Sequence, residues 1–212
     1  MKLATKRESF RRKVNLSFIV DRAHYDEVIL GAVARARVSV WIGTANVKEL
    51  HIEATPGTRA RARGAYVSIL QTFEALADKG VELRILHGAL PSRPFREELA
   101  RRRSLKGEKG LAMRHCPRVH LKLIAVDGRA LYLGSANFTG AGLGAKGEGR
   151  RNFEMGILTD DEGMLDAAQE RFERIWSGGE CGACKLRAVC PRPLDTPPLR
   201  RGRALLPVKR HP

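Results

Sequence analysis

The stretch from His120 to Asn137 constrains the fold of this chain more than any other. It contains two short apolar runs, Leu123-Ile124-Ala125-Val126 and Leu131-Tyr132-Leu133, of strand length and composition. Asp127-Gly128 lies between them, a pair that turns one strand back onto the next. A β-hairpin is therefore predicted, with polar groups along one edge. His120 and Lys122 are two residues apart, which puts them on one face of the first strand. Ser135 and Asn137 share that spacing at the end of the second. An imidazole, an ammonium and an amide converging on one spot suit a phosphate group, the lysine as a point charge and the asparagine as an N–H donor.

These residues follow the order HxK, four residues, Asp, six residues, GSxN, complete from His120 to Asn137. Six positions at fixed spacing make a specific signature, and it resembles the HKD motif of the phospholipase D superfamily. The resemblance covers roughly residues 15–176 and implies an α/β sandwich around a mixed sheet. It also implies phosphodiester chemistry through a phosphohistidine, with no metal. The division of labour it implies makes His120 the nucleophile, with Lys122 and Asn137 holding the non-bridging oxygens and Ser135 adding a hydroxyl. Asp127 orders the hairpin or pairs with a base at an interface. Glu154 matches the acidic residue that family members place after GSxN, where it hydrogen-bonds a catalytic imidazole and fixes its tautomer.

In the superfamily two such motifs meet about a twofold axis, and the second histidine protonates the leaving group. Gly43-Thr44-Ala45-Asn46 nearly copies Gly134-Ser135-Ala136-Asn137, but a second motif requires His and Lys where this chain has Ile29 and Gly31. One motif per chain implies a C2 homodimer with a shared site. Asn46 is left with two readings, a substrate contact or a turn.

The formal net charge is +16, from 39 Lys and Arg against 23 Asp and Glu. Residues 1–13, 93–122 and 185–212 carry nets of +5, +7 and +7, so the rest of the chain is slightly acidic. Such concentration favours a polyanionic partner, and the middle segment leads directly into His120. No transmembrane or secretory segment is apparent, which predicts a cytoplasmic protein with reduced cysteines.

Taken in order, residues 1–13 form a basic arm, residues 14–176 the catalytic domain, and residues 177–212 a tail. Strands are predicted at 16–20, 38–42, 81–86 and 152–158, besides the hairpin. Helices are predicted from Asp21 as cap, over 65–79 with Gly80 at its end, over 95–103, and over 162–176. Residues 104–118 read as a loop, residues 58–63 as a mobile loop near substrate, and residues 191–212 as loosely attached or disordered. His87 ends a strand and reads better as a structural or solvated histidine than as one that faces the site. Helices alternating with core strands give a mixed sheet flanked by helices.

The cysteines form a second constellation. Cys181-x2-Cys184-x5-Cys190-Pro191 has metal-ligand spacing, with Cys116 as fourth thiol. A structural zinc or an iron–sulfur cluster is the expectation, with reduced thiols or a redox disulfide as alternatives. The function predicted is a metal-independent phosphodiesterase, a nuclease acting on DNA or RNA. The alternatives are a phospholipase or phosphatidyl transferase, and a non-catalytic nucleic-acid-binding module.

Overall fold

The computed structural model describes residues 11, 13–53, 66–107 and 109–196. The predicted mobile loop at 58–63, nearly all of the basic arm, and the tail beyond 196 lie outside these residues. Nine strands are described: β1 (Ser17–Val20), β2 (Ser39–Thr44), β3 (His51–Glu53), β4 (Tyr66–Ser68), β5 (Glu82–His87), β6 (Leu111–His115), β7 (Lys122–Val126), β8 (Ala130–Gly134) and β9 (Met155–Thr159). Seven of them form one sheet in the order β1-β9-β8-β7-β2-β5-β6, and β3 pairs with β4 apart from it. β2, β5 and β6 run parallel, while β7, β8, β9 and β1 are antiparallel to their neighbours. The sheet is mixed, as predicted.

The pleat explains why both faces are covered. Along β7, Ile124 and Val126 enter the main core with Val40 and Ile42 of β2. Leu123 and Ala125 point the other way, toward helix α3 (Glu162–Trp176), whose Leu165, Phe172 and Ile175 are buried there. Continuous apolar runs are what a strand covered on both faces requires. The opposite face carries a wide, π-wound helix (His24–Ala32) and α1 (Ile69–Asp78), with Tyr25, Ile29, Leu70 and Phe73 fully or almost fully buried. Phe172 stacks on Trp41 at 5.3 Å, and burial of such a ring contributes about 2–3 kcal/mol. α2 (Arg93–Arg101) is shorter and basic, capped by Ser92 and closed over the core by Phe95.

Several boundaries differ from expectation. The predicted loop at 104–118 contains β6, whose Leu111 and Met113 pack on the core from an edge position parallel to β5. Its pattern of basic and small residues hides a strand, because an edge strand need bury little. Residues 66–68 are not the start of a helix but pair with β3, and Ser68 then caps α1. Asp21 does not cap its helix: it sits at φ +43° and accepts a hydrogen bond from the Glu154 amide at 3.0 Å. Residues 191–196 are docked rather than loose at Leu194, which is buried against Leu86, Val119 and Phe172 in one cluster.

Asp127 lies at the end of β7 away from Lys122. Its carboxylate accepts from the amides of Arg37, Val38 and Ser39 at 2.7–3.1 Å, tying the hairpin turn to the start of β2. Of the two roles predicted for Asp127, ordering the hairpin is the one this geometry serves. Burial works against its charge, but the three amides and Arg129 outweigh it and hold the carboxyl below its ordinary value. A carboxyl depressed by folding stabilises above its unfolded range and loses that contribution as pH falls through the folded value. Asp127→Ala is thus expected to lose about 1–3 kcal/mol at neutral pH. Urea unfolding should show the gap closing below about pH 4. Lost turnover in the folded variant would instead place Asp127 in the chemistry.

Candidate active site

Register brings the motif together at one end of the sheet. Thr44, at the carboxyl end of β2, is paired with Lys122 at the start of β7 and with His87 at the end of β5. Gly134, at the end of β8, lies opposite Gly156 of β9, so Ser135 and Glu154 meet just beyond. Ligand sites in α/β sheets collect at carboxyl ends of parallel strands, and this end has that character.

His120 is exposed on the segment entering β7. The Lys122 ammonium lies 3.0 Å from its Nδ1, 3.1 Å from its Nε2 and 3.2 Å from its carbonyl oxygen. The ammonium thus sits close to both ring nitrogens at once. Partial burial holds the Lys122 ammonium below its ordinary range, and the nearby Glu154 charge opposes that shift. A phosphate arriving here would compete for the lysine and release the imidazole lone pair.

Asn137 is aimed by its neighbours. Its Oδ1 accepts from the Asn46 amide at 3.2 Å and lies 3.3 Å from the Thr44 hydroxyl, whose proton it shares with the Asn46 carbonyl at 2.9 Å. With the oxygen so occupied, the side-chain NH₂ is the group left for a ligand. Thr44 also accepts from the Phe138 amide at 3.0 Å, and Val47 forms a parallel bridge with Phe138. The resemblance between Gly43–Asn46 and Gly134–Asn137 therefore has a structural use: two strand ends lock side by side and set the motif's asparagine. Asn46 serves that lock through its backbone, while its exposed side chain lines the pocket beside Asn137.

The Ser135 hydroxyl donates to the Glu154 carboxylate and accepts from the Met155 amide at 3.1 Å. Asn152 Nδ2 donates to the second Glu154 oxygen at 3.0 Å. Glu154 is thus beside the motif, as predicted, but these contacts go to Ser135 and Asn152 and not to an imidazole.

Residues the motif did not reveal hold Glu154 in place. Asp21 clamps its backbone from both sides, accepting from the Glu154 amide and donating to its carbonyl oxygen at 2.9 Å. Beneath, fully buried His24 contacts the Asp21 carbonyl through Nδ1 at 3.0 Å and meets the Tyr132 ring edge-on. Burial keeps His24 toward its neutral form, although Asp21 and Glu154 oppose the shift. The Tyr132 hydroxyl accepts from the Ala136 amide at 3.2 Å, bracing the turn between Ser135 and Asn137. A small residue is required above this ring, because a Cβ on Gly134 would lie 2.3 Å from the Tyr132 hydroxyl. Apart from Gly134, which belongs to the motif, these positions carry no local signal of this role, since each matters only for what the fold packs against it.

Burial pushes the Tyr132 phenol up to about 12. A phenol raised by folding gives its full contribution below the unfolded value near 10 and loses it as pH rises toward 12. Chemical unfolding is therefore expected to show stability falling between those values, with the fall reduced in Tyr132→Phe. An identical fall in the variant would assign it to other groups.

His87 is buried at the sheet end, stacked on His115 at 5.4 Å and bonded to the Ala89 carbonyl at 2.9 Å. Of the structural and solvated readings, burial fits the structural one. The four cysteines do converge: Cys116 follows β6, and Cys181, Cys184 and Cys190 return from the segment after α3 to line the same pocket. Arg114 fastens that segment by donating to the carbonyls of Trp176 and Leu194, the latter at 2.6 Å. Among the described residues, however, no group of three or more His, Cys, Asp or Glu side chains is set to hold a metal ion. The predicted zinc or iron–sulfur site is to that extent corrected. The thiols share a pocket without forming a closed coordination shell.

The fold and the HxK–GSxN constellation define a phospholipase D-like phosphodiester site. A family model described as cardiolipin synthase, PLD-like domain, matches residues 29–176, and the chain belongs to this PLD-like family. Among solved structures, NucT from Helicobacter pylori is similar at 14% identity and a TM-score of 0.51, over 76% of this chain and 95% of its own. Nuc from Salmonella typhimurium, a phospholipase D family member, gives 18% and 0.49 over 77% and 95%. Phosphatidylserine synthase from Haemophilus influenzae gives 15% and 0.49 over 76% of this chain and 38% of its own. At 14% identity the likeness to NucT is one of fold alone. No curated protein matches the sequence.

Proposed function

We propose that the chain is a nuclease, a phosphodiesterase that cleaves DNA or RNA through a phosphohistidine. The observation that carries this is the placement of His120, Lys122 and Asn137 at one sheet end, in a chain with a net charge of +16. A neutral imidazole attacks phosphorus, the leaving oxygen departs, and water then releases the phosphoryl group from the histidine. Lys122 and the Asn137 amide neutralise the non-bridging oxygens, which gives the site a means of charge stabilisation without a metal.

The leaving oxygen needs a proton, and we assign it to His120 of a second copy of the chain. The sheet supports such a partner. α3 covers β7 and β8 on one face, and beyond it, among the described residues, the same face at β9 and β1 carries exposed apolar side chains. Phe18 and Met155 are 65% and 59% exposed there, Val20 is paired with Met155, and Phe153 beside Glu154 is 94% exposed. An apolar surface of this kind next to an incomplete site fits a homodimer interface.

A lipid substrate would use the same chemistry. No helix among the described residues is long and apolar enough to cross a membrane. Cleavage of labelled DNA or RNA in EDTA, with no turnover of phospholipid vesicles, is the expected result. Lipid turnover alone would overturn the reading, and binding of nucleic acid without turnover of either substrate would make the chain a binding module.

A further inference from the structure

Two open pockets continue from Asn137 across the surface. The first, about 250 Å³, is lined by Asn46, Lys48, Glu49, Asn137, Lys146 and Asn152, among others. The second, about 420 Å³, is lined by His51, Tyr66, Lys146, Arg150 and the backbone around Gly140 and Gly147. Lys146 and Gly140 belong to both, so the pockets are consecutive stations of one groove. Chemically the groove alternates. Asn137, Asn46 and Asn152 offer amide donors and acceptors at its start, Lys146 stands at the junction, and Tyr66, 58% exposed, presents an aromatic ring at the far station beside Arg150.

Glu49 is the acidic member, accepting from the Ser92 hydroxyl at 2.8 Å. A carboxylate on the wall disfavours a phosphate at that spot but accepts well from base amino groups. Cations at the junction and far end, with an aromatic face between bases, are the elements of a single-strand track. Duplex DNA buries its bases in the stack and could use the lysines but not the tyrosine.

We propose that this groove binds single-stranded nucleic acid, with Lys146 on a backbone phosphate between two nucleotides and Tyr66 stacked on the base of the outer one. The proposal rests on the nuclease reading and names its substrate. Stacking on one aromatic side chain is worth about tenfold in affinity, and one phosphate contact about one unit of salt slope.

Binding is measured on the His120→Ala chain by fluorescence anisotropy with a labelled single-stranded oligonucleotide, so that turnover is not required. Adding Tyr66→Ala should weaken binding about tenfold, Tyr66→Phe should restore it, and Lys146→Ala should lower the salt slope by about one. A duplex of the same sequence should bind more weakly and be indifferent to Tyr66. In the active chain, Tyr66→Ala should lower kcat/KM for the oligonucleotide relative to that for bis(p-nitrophenyl) phosphate, which is too small to reach the outer station. Unchanged single-strand binding in Tyr66→Ala, tighter binding of duplex, or vesicle binding in place of oligonucleotide would overturn the proposal. Failure of the unsubstituted chain to cleave either diester, with oligonucleotide binding intact, would sink the nuclease reading and leave the groove standing.

Discussion

His120→Ala is expected to reduce phosphodiester cleavage by about four orders of magnitude or more, because it removes the bond-forming nitrogen rather than a binding contact. The effect should fall on kcat. Lys122 and the Asn137 amide remain to bind phosphate, so KM for an oligonucleotide should change little. The side chain is exposed and its hydrogen bonds are to Lys122, so the variant should keep its thermal midpoint. Initial rates in EDTA, with acid-quenched samples examined for a phosphorylated histidine in the unsubstituted chain, check both claims. Residual activity within tenfold of the unsubstituted chain would mean that another group attacks phosphorus.

The second large effect concerns the proposed sharing of the site between two copies. Phe18→Asp puts a charge on the exposed sheet face at β1, where Phe18 pairs with Ile157 of β9. An exposed edge position costs a lone chain little, whereas burial of that carboxylate between two copies is strongly unfavourable. Light scattering should show a dimer for the unsubstituted chain and a monomer for the variant. Cleavage should fall by about a hundredfold or more, the contribution of a general acid, and should rise more steeply than linearly with protein concentration. A fully active monomer would show that the leaving group takes its proton from within the chain or from water. An unaffected dimer would place the interface on another surface.

Much of the fold could be read from the chain alone, and for a common physical reason. The hairpin around Asp127-Gly128, α3 and the strands of the main sheet other than β6 are marked by patterns that lie within a few residues, so periodicity and turn chemistry suffice to find them. β6 escaped because an edge strand buries one side lightly and so leaves no clear alternation. β4 escaped because a three-residue strand preceding a helix shares the helix's apolar start.

The site divides along the same line. The sequence by itself singled out the side chains proposed to act on phosphate, since the HxK and GSxN spacing puts His120, Lys122, Ser135 and Asn137 on neighbouring strand ends. It also located the four cysteines that the fold later gathers. Only the tertiary structure decided how those groups are held: Thr44 and Asn46 turning Asn137, Asp21 clamping Glu154, Tyr132 bracing Ala136, and Asp127 serving the far end of the hairpin. These partners lie up to 133 residues from the groups they position, and one hydrogen bond across such a distance leaves no pattern along the chain. The groove from Asn137 to Tyr66 is of the same kind. It is assembled from separate loops, and only packing makes it continuous.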